Sequence, residues 1–558
     1  MTGRHALLGF VLLAFVACSA GGGPAGGGHS NPGSGGSGSA SAGGPGLVTG
    51  NGDAASAGRG SDNNPTTCDE AKSNRTYIGC EFWPTVTYNP VYKEFSFAVV
   101  VANGGTAESA IKVERNGAVV AMATVAPGSL TTVPLPWVDE LKGLEFAHTD
   151  LNEGARRKPS VLVTGGAYHL TSSTPVTAWQ FNPLEYQQSG VLSVSNDASL
   201  LLPTAAMTGN YRLFGRSARL EGGLEPLTSS QGGFAITATA NNTVVKVELT
   251  PQRKAEVGTG AKIGAATLAA GNGVAAAMPG DTVTYNLNAG DVVELMGTWG
   301  SFEPEPHGDL SGSVLNANNP VQVIALNPIL TSVPTAMNGN PDHVEETVLP
   351  AEVIGKSYVV APPTGPDLRV PGHMVRFFGN VEGTKLTYTD MKPANAPDTL
   401  QAGEVLEIGP VTEAFVVTAD QPFAIASIML GGTIQDPGGT RGDPSLTMEV
   451  TPQQFRRQYT FLAPVSYLEN YADILLPMGA TALLDGKPLT GAPKVIGTSG
   501  WSIVREKLLA GDKNGAHRLE ATAKVGLQVL GFGLATSYCY PGGLDLELIS
   551  EAPVIVVK

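Results

Sequence analysis

The chain has 558 residues and a formal net charge of −15, from 34 Lys and Arg against 49 Asp and Glu. Its 71 glycines and 40 prolines make up about a fifth of the sequence, while charged residues fall to 15%, against roughly 25% in typical soluble domains. That balance excludes a long coiled coil or an exposed helical array, argues against a basic nucleic-acid footprint, and leaves room for several domains.

Arg4 and His5 precede an apolar run, ALLGFVLLAFVA (6–17), that ends at Cys18. Twelve residues make a helix of about 18 Å, short of the roughly 30 Å hydrocarbon core, so the segment reads as a secretory signal rather than a span. Phe15-Val16-Ala17-Cys18 resembles a bacterial lipobox, with Phe15 in place of the usual leucine. The likeness implies lipidation at Cys18 and, through Ser19, sorting to an outer membrane; an ordinary cleaved signal is the alternative. From Ser19 to Thr67, 17 of 49 residues are Gly and most of the rest are Ser, Ala, Pro and Asn. Such a segment cannot repay its ordering entropy and is expected to be a tether, about 40 Å end to end as a random coil.

Cys68 and Cys80 flank eleven residues and are expected to pair outside the cytoplasm, where closing so short a loop is worth roughly 3 kcal/mol. Cys539 is left as a buried thiol, and without a close Cys pair or Cys/His cluster zinc is not expected.

Four later stretches share a pattern of an extended segment, a few small residues and an alternating apolar strand: YHLTSSTPVTAWQFNP (168–183), LSGSVLNANNPVQVIALNP (310–328), AFVVTADQPFAIASIML (414–430) and HRLEATAKVGLQVLGFG (517–533). Each reads as two neighbouring strands, with Pro175, Pro320 and Pro422 at strand starts where a missing N–H is tolerated. Further strands are expected in FSFAVVVAN (95–103), APGSLTTVPL (126–135), GFAITATANNTVVKVEL (233–249), NAGDVVELM (288–296), KLTYTD (385–390), QAGEVLEIG (401–409) and ADILLPMGATALLDG (472–486). Asn116-Gly117 and Asp485-Gly486 are the expected hairpin turns, and 136–144 and 452–457 the few places for a helical turn. The fold class is therefore all-β, a tandem array of about four small β-sandwich-like units spanning 68–184, 185–330, 331–439 and 440–558. A propeller or solenoid is the alternative, although a propeller would want a more even period of roughly 40–50 residues.

YIGCEFW (77–83), PVTAWQFNPL (175–184), SNDASLLLPT (195–204), DHVEETVLP (342–350), GDPS (442–445), FLAP (461–464) and SYCYPGG (537–543) together resemble the family named for the IgGFc-binding protein N-terminal domain. Bacterial members, familiar from myxobacteria-like chains, are similar in joining an export signal to a Gly/Ser-rich tether. The resemblance implies an extracellular binding or adhesion module, with no catalytic residues and no defined ligand. Cys539 stands where related chains often carry Gly and Pro341 where many carry Cys, so no disulfide or metal role is carried over to the segment at 341.

Candidate chemistry is sparse. Asp342, His343, Glu345 and Glu346 form the densest polar cluster; in an extended strand His343 and Glu345 share one face and Asp342 and Glu346 the other. With Asp436 and Asp443 of DPGGTRGDPS (436–445), Asp342, His343 and Glu346 are weak metal candidates, calcium at the loop included, although neither string carries a full metal-site pattern. The plainer readings are a polar corner for the cluster and a surface loop for 436–445, whose Arg441-Gly442-Asp443 is a chance tripeptide. Asn196-Asp197 is expected to hold a tight turn through side-chain bonds to nearby backbone N–H groups. Trp179 and Phe181 share a strand face, and with Tyr186 they are core residues or, alternatively, a carbohydrate-binding surface. The functional expectation is a lipid-anchored surface protein that binds an extracellular protein, glycan or neighbouring cell. A structural surface-assembly component and an extracellular hydrolase are the other classes, and no cofactor or nucleic-acid partner is expected.

Overall fold

Alternating apolar residues become strands almost everywhere in the computed structural model, which describes residues 64–145, 158–216, 231–251, 254–256, 262–263, 266–298, 308–330, 332, 342–508 and 515–553. The signal segment, Cys18 and all but the last residues of the tether lie outside them. Helix is confined to Cys68–Asn74 and to single turns such as Asp139–Lys142, with a 3-10 turn at Pro452–Gln454. Both expected hairpin turns have positive φ at their two central residues: 53° and 74° at Asn116-Gly117, 51° and 76° at Asp485-Gly486. That is the type I′ requirement, and Asn, Asp and Gly meet it at least cost.

Four long strands and the short strand that follows each of them organise the molecule. They are β1 (His169–Phe181) and β2 (Ala198–Leu200), β3 (Val321–Leu330) and β4 (Asp342–Thr347), β5 (Phe423–Met429) and β6 (Leu446–Met448), β7 (Ala516–Gly533) and β8 (Thr536–Pro541). Each short strand pairs antiparallel with its long one. The stretches at 168–183 and 517–533, expected as strand pairs, are the single strands β1 and β7. Pro175 therefore lies inside a strand, where β1 leaves one sheet and joins another. Before it β1 pairs with Gly79–Phe82 and Ser109–Arg115, and after it with Phe97–Asn103 and β2. A register shift against Gly79–Phe82 absorbs the change, which is how a strand accommodates a proline.

Each long strand belongs to an inner sheet backed by an outer one. In the second unit the inner sheet runs through Ser160–Val163, Val292–Met296, Gly233–Ala238, β3 and β4, and the outer through Asn210–Arg212, Val314–Ala317, Thr243–Glu248 and Thr282–Leu287. Val245, Val247, Tyr285 and Leu315 of the outer sheet meet Phe234, Ile236, Val293 and Val323 of the inner one in a shared core. The third unit repeats this with Tyr358, Val360 and Val417 against Val375, Phe377 and Ile425. The units are thus sandwiches, as period-two patterning implies.

The four inner sheets stand about a common centre like the blades of a four-bladed propeller. There β2 touches β4 and β8, and β6 touches the same two, so the short strands close a ring. Because each completes its own inner sheet, the sheets end at 200, 347, 448 and 541, beyond the expected boundaries at Leu184, Leu330 and Gly439. Ser160–Val163 also crosses over, pairing with Val292–Met296 of the second unit.

The chain ends of the folded body lace the last unit to the first. Thr76 bridges to Asp545, Tyr77 N donates to Leu544 O (3.1 Å) and Leu546 N to Arg75 O (2.7 Å). Asp545 is 1% exposed and receives Arg456 and, at 3.0 Å, Lys524. Cys68 and Cys80 form a disulfide, Cα atoms 5.7 Å apart, that ties the helix Cys68–Asn74 to the strand Gly79–Phe82 beside this seam. Replacing Asp545 by Asn leaves the buried Arg456 guanidinium without its counter-charge, and the expected loss is about 3 kcal/mol, read as a lower urea midpoint with unchanged slope.

Candidate functional site

The ring brings together residues that alternate along the short strands. Asp197 directly precedes β2, Asp342 opens β4, Asp443 lies three residues before β6, and Thr536-Ser537 open β8; all five are fully buried. Asp197-Ala198-Ser199 and Asp443-Pro444-Ser445 repeat one spacing in two units. Strand pleating divides β4 as expected: Asp342 and Glu346 on one side, His343 and Glu345 on the other.

Glu345 turns toward the first unit and is satisfied there by neutral donors. Thr87 Oγ1 (2.7 Å) and Asn182 Nδ2 (3.2 Å) donate to Oε2, and Gln180 Nε2 (3.0 Å) donates to Oε1. His343 lies in the same layer, its Nε2 3.4 Å from Asn182 Nδ2 and 3.7 Å from Glu345 Oε2. Asp197 joins three units: its Oδ1 accepts from Ala198 N (2.9 Å) and Ser445 Oγ (3.1 Å), and its Oδ2 from Glu345 N (3.0 Å). The expected side-chain bond to a nearby backbone N–H is present at Asp197, to Ala198 N, and the same carboxylate also spans the seams.

On the other side the carboxylates are poorly matched. Asp342 Oδ2 accepts a long bond from Thr536 Oγ1 (3.4 Å), and Asp443 Oδ1 one from Gly432 N (3.4 Å). Asp342 Oδ1, Asp443 Oδ2 and Glu346 Oε2 have no partner among the described residues. Burial drives the Asp342 acid well above the usual range, and the Asp443 and Asp197 charges add to it. Burial likewise raises Asp443, Asp197 and, with help from Asp197, Glu346. The direction follows from burial, which costs the ionised form most where no cationic side chain stands beside it. One seam away, Glu449 is pushed up to about 7, again by burial, and accepts from Ser427 Oγ and from Gln528 Nε2 (3.1 Å). The cluster is a sealed acid hub.

The metal candidates are distributed rather than joined. Asp342 feels the charges of Asp443 and Asp197, Glu346 those of Asp197 and Glu345, His343 lies on the other face of β4, and no three His, Cys, Asp or Glu side chains converge as a metal site among the described residues. Asp436 is held by Arg441 (2.9 Å), which lowers its pKa and also binds Asp367 (2.6 Å). The expected surface loop at 436–445 is exposed only at 437–440; Gly442 and Asp443 are buried, so the Arg-Gly-Asp tripeptide is not displayed. Trp179 and Phe181 are both at 0% exposure, Trp179 with its ring 6.1 Å from that of Tyr540, and Tyr186 packs on Tyr467. They are core. Cys539 is a buried thiol, its pKa raised by burial.

Sequence reasoning had no local signal for the second charged layer, where Glu407 receives Arg216 (2.7 Å) and Arg376 (3.1 Å), and Arg376 also binds Asp309 (3.0 Å). These four come from two units and meet only because the inner sheets pack side by side. The recurring Asp-x-Ser was the one readable clue to the hub.

A family model described as IgGFc binding protein matches residues 197–531, from Asp197 of the ring into β7. No curated protein matches the chain. Among solved structures, a GH78 family rhamnosidase of Bacillus sp. GL1 aligns over 69% of this chain and 54% of its own at 9% identity and a TM-score of 0.11. The chain spans about half that enzyme's length, and so low a score carries no argument.

The raised hub acids fix the sign of the pH dependence. A carboxyl whose folded pKa exceeds its unfolded value stabilises the fold fully at low pH and loses that contribution as pH rises through the folded value, about 7 for Glu449. Asp436 and Asp367, held low by Arg441, act oppositely and only in acid. Thermal unfolding from about pH 5 to about pH 9 is expected to show a falling melting temperature. Asp443→Asn, which removes one ionisable acid and keeps an acceptor for Gly432 N, is expected to flatten that fall; an unchanged slope would count against the hub as its source.

Proposed function

The chain belongs to the IgGFc-binding protein family, and on that premise we propose that it is a surface-displayed binding module for an extracellular protein or glycan, carried by a neighbouring cell or a secreted glycoprotein. The family's printed name refers to the antibody Fc region; for this chain the reading is the broader one. Export through the signal segment, a lipid on Cys18 and the 18–67 tether complete the proposal, with the folded body held off an outer membrane. No helix among the described residues is long and apolar enough to cross a membrane.

The observation that carries the reading is where the reactive and the exposed groups lie. The carboxylates that recur from unit to unit are sealed in the ring, which disfavours a hydrolase. The strand Ala118–Val125, in contrast, forms one edge of its sheet and carries no charge over eight residues. Val119 is 54% and Met122 76% exposed on it, Met122 more than any other large apolar side chain described. An uncharged, apolar edge invites an added strand, and natural proteins guard such edges unless they are used. The same edge favours the second reading, self-assembly through paired copies.

Full chain on beads, offered to whole cells and to mucin, matrix and glycan panels, is expected to show saturable capture. Val119→Lys with Met122→Lys is expected to weaken capture at least roughly tenfold while leaving the melting temperature nearly unchanged, since such surface changes seldom exceed about 0.5 kcal/mol. No capture together with concentration-dependent assembly by light scattering would replace the reading with the structural one. Cys18→Ser is expected to move the protein from the detergent phase to the aqueous phase on partitioning.

A further inference from the structure

A cavity of about 280 Å³ opens at the seam between the first and last units, where β1 changes sheets. On β1 the partner of Gly79 is Val176 but that of Glu81 is Thr171, leaving 172–175 out of register. On β7 the strand Arg456–Leu462 skips similarly, with Arg456 opposite Val525 and Gln458 opposite Glu520. Thr174 to Thr177 of β1 line the cavity, whereas β7 reaches it only through Arg518, outside its irregular stretch.

Its wall is preformed. The loop after Phe97–Asn103 is pinned by the Asn103 side chain, which donates to Ala107 O (2.7 Å) and Val125 O (2.9 Å) and accepts from Gly105 N (2.9 Å). A Cβ on Gly104 would lie 2.6 Å from Thr460 Oγ1, so glycine is what lets this loop approach and leaves the threonine hydroxyl in place.

The lining is polar and nearly neutral. Thr106, Thr177, Gln458 and Thr460 contribute hydroxyls and an amide, and the single cation of the lining, Arg518, is matched by Glu520 at 2.6 Å. Thr174 lines the cavity through its other atoms, its Oγ1 being occluded and without a partner among the described residues. The side chains of Thr106, Gln458 and Thr460 likewise make no hydrogen bond among the described residues. Ile78 and Val176 supply an apolar patch beside them.

We propose that this cavity is a binding site for one uncharged, hydroxyl-rich sugar residue at the end of a glycan. Hydroxyl and amide side chains both donate and accept, which suits a ring of hydroxyls, and the apolar patch takes the C–H face. An anionic ligand would need a free cation, and Arg518 already has its carboxylate. The volume is at the small end of ligand pockets, the scale of a single sugar ring. The inference rests on the binding reading above and names one ligand class for it.

The test uses the full chain with a panel of methyl glycosides of hexoses and N-acetylhexosamines, measured by saturation-transfer NMR and titration calorimetry. At least one glycoside is expected to bind saturably, and Thr106→Val and Gln458→Leu are each expected to weaken it roughly tenfold. Thr106→Val changes an exposed loop residue and is expected to leave the melting temperature nearly unchanged; reduced affinity in a protein equally stable separates ligand contact from structural damage. Glycoside binding that both variants leave untouched overturns the site. Absence of glycoside binding while cell or protein capture persists also overturns it, yet leaves the broader reading standing. Glycoside binding without any such capture supports the cavity and sinks the broader reading.

Discussion

Everything in this molecule depends on four short strands closing a ring. Each of β2, β4, β6 and β8 is the last strand of its sheet, and a last strand normally leaves a row of unpaired backbone groups and a side to be covered. Here each is covered by its two neighbours around the ring. No short strand is enclosed until all four units are in place. The pairing of Arg75 to Tyr77 with Leu544 to Leu546 makes that closure long-range, joining residues more than 460 positions apart. Loop-closure entropy delays such contacts, so the ring belongs to the slow class of β topologies.

Closure also dictates the chemistry at the centre. Bringing the heads of four strands together places Asp197, Asp342 and Asp443 in one buried volume, where charge is costly and the pKa of each acid is raised. The seams differ in how they meet that cost. The first and second units meet through Glu345 and neutral amides and hydroxyls, and the second and third through Arg216, Arg376, Glu407 and Asp309. The third and fourth share Glu449 with Ser427 and Gln528, and the fourth and first use Arg456 with Asp545 and a Tyr77 hydroxyl that accepts from Thr460 N (2.9 Å). Replacing a buried ion pair by apolar residues is often neutral or stabilising, so a distinct polar set at each seam contributes more to which sheets become neighbours than to raw stability.

Particular residues show what could be read in advance. The hairpins at Asn116-Gly117 and Asp485-Gly486, the disulfide partners, the buried Cys539 and the face-sharing of Trp179 with Phe181 follow from local rules of φ, spacing and pleat, and they hold. Pro175 misled because a proline ordinarily opens a strand, whereas β1 carries it at the point where it changes sheets. The segment 436–445 misled because Gly, Pro and Asp predict exposure, while Asp443 is drawn inward by the strand it precedes. The sheets end one strand beyond the expected boundaries, since each short inner strand, such as Ala198–Leu200, pairs back onto the long strand before it.

The sequence by itself determined a β-rich body of four turn-dense sandwiches, the cysteine pair and the polar and apolar faces of each strand, because these depend on residues close together in the chain. Only the tertiary structure decided that the sandwiches form a ring, that three aspartates from three units share its centre, that Glu407 sits between two arginines, and that a polar cavity opens where the first unit meets the last. Those outcomes join residues from different units, and the protonation of each acid depends on the water that packing removes. Neither leaves a mark in the local pattern of the chain.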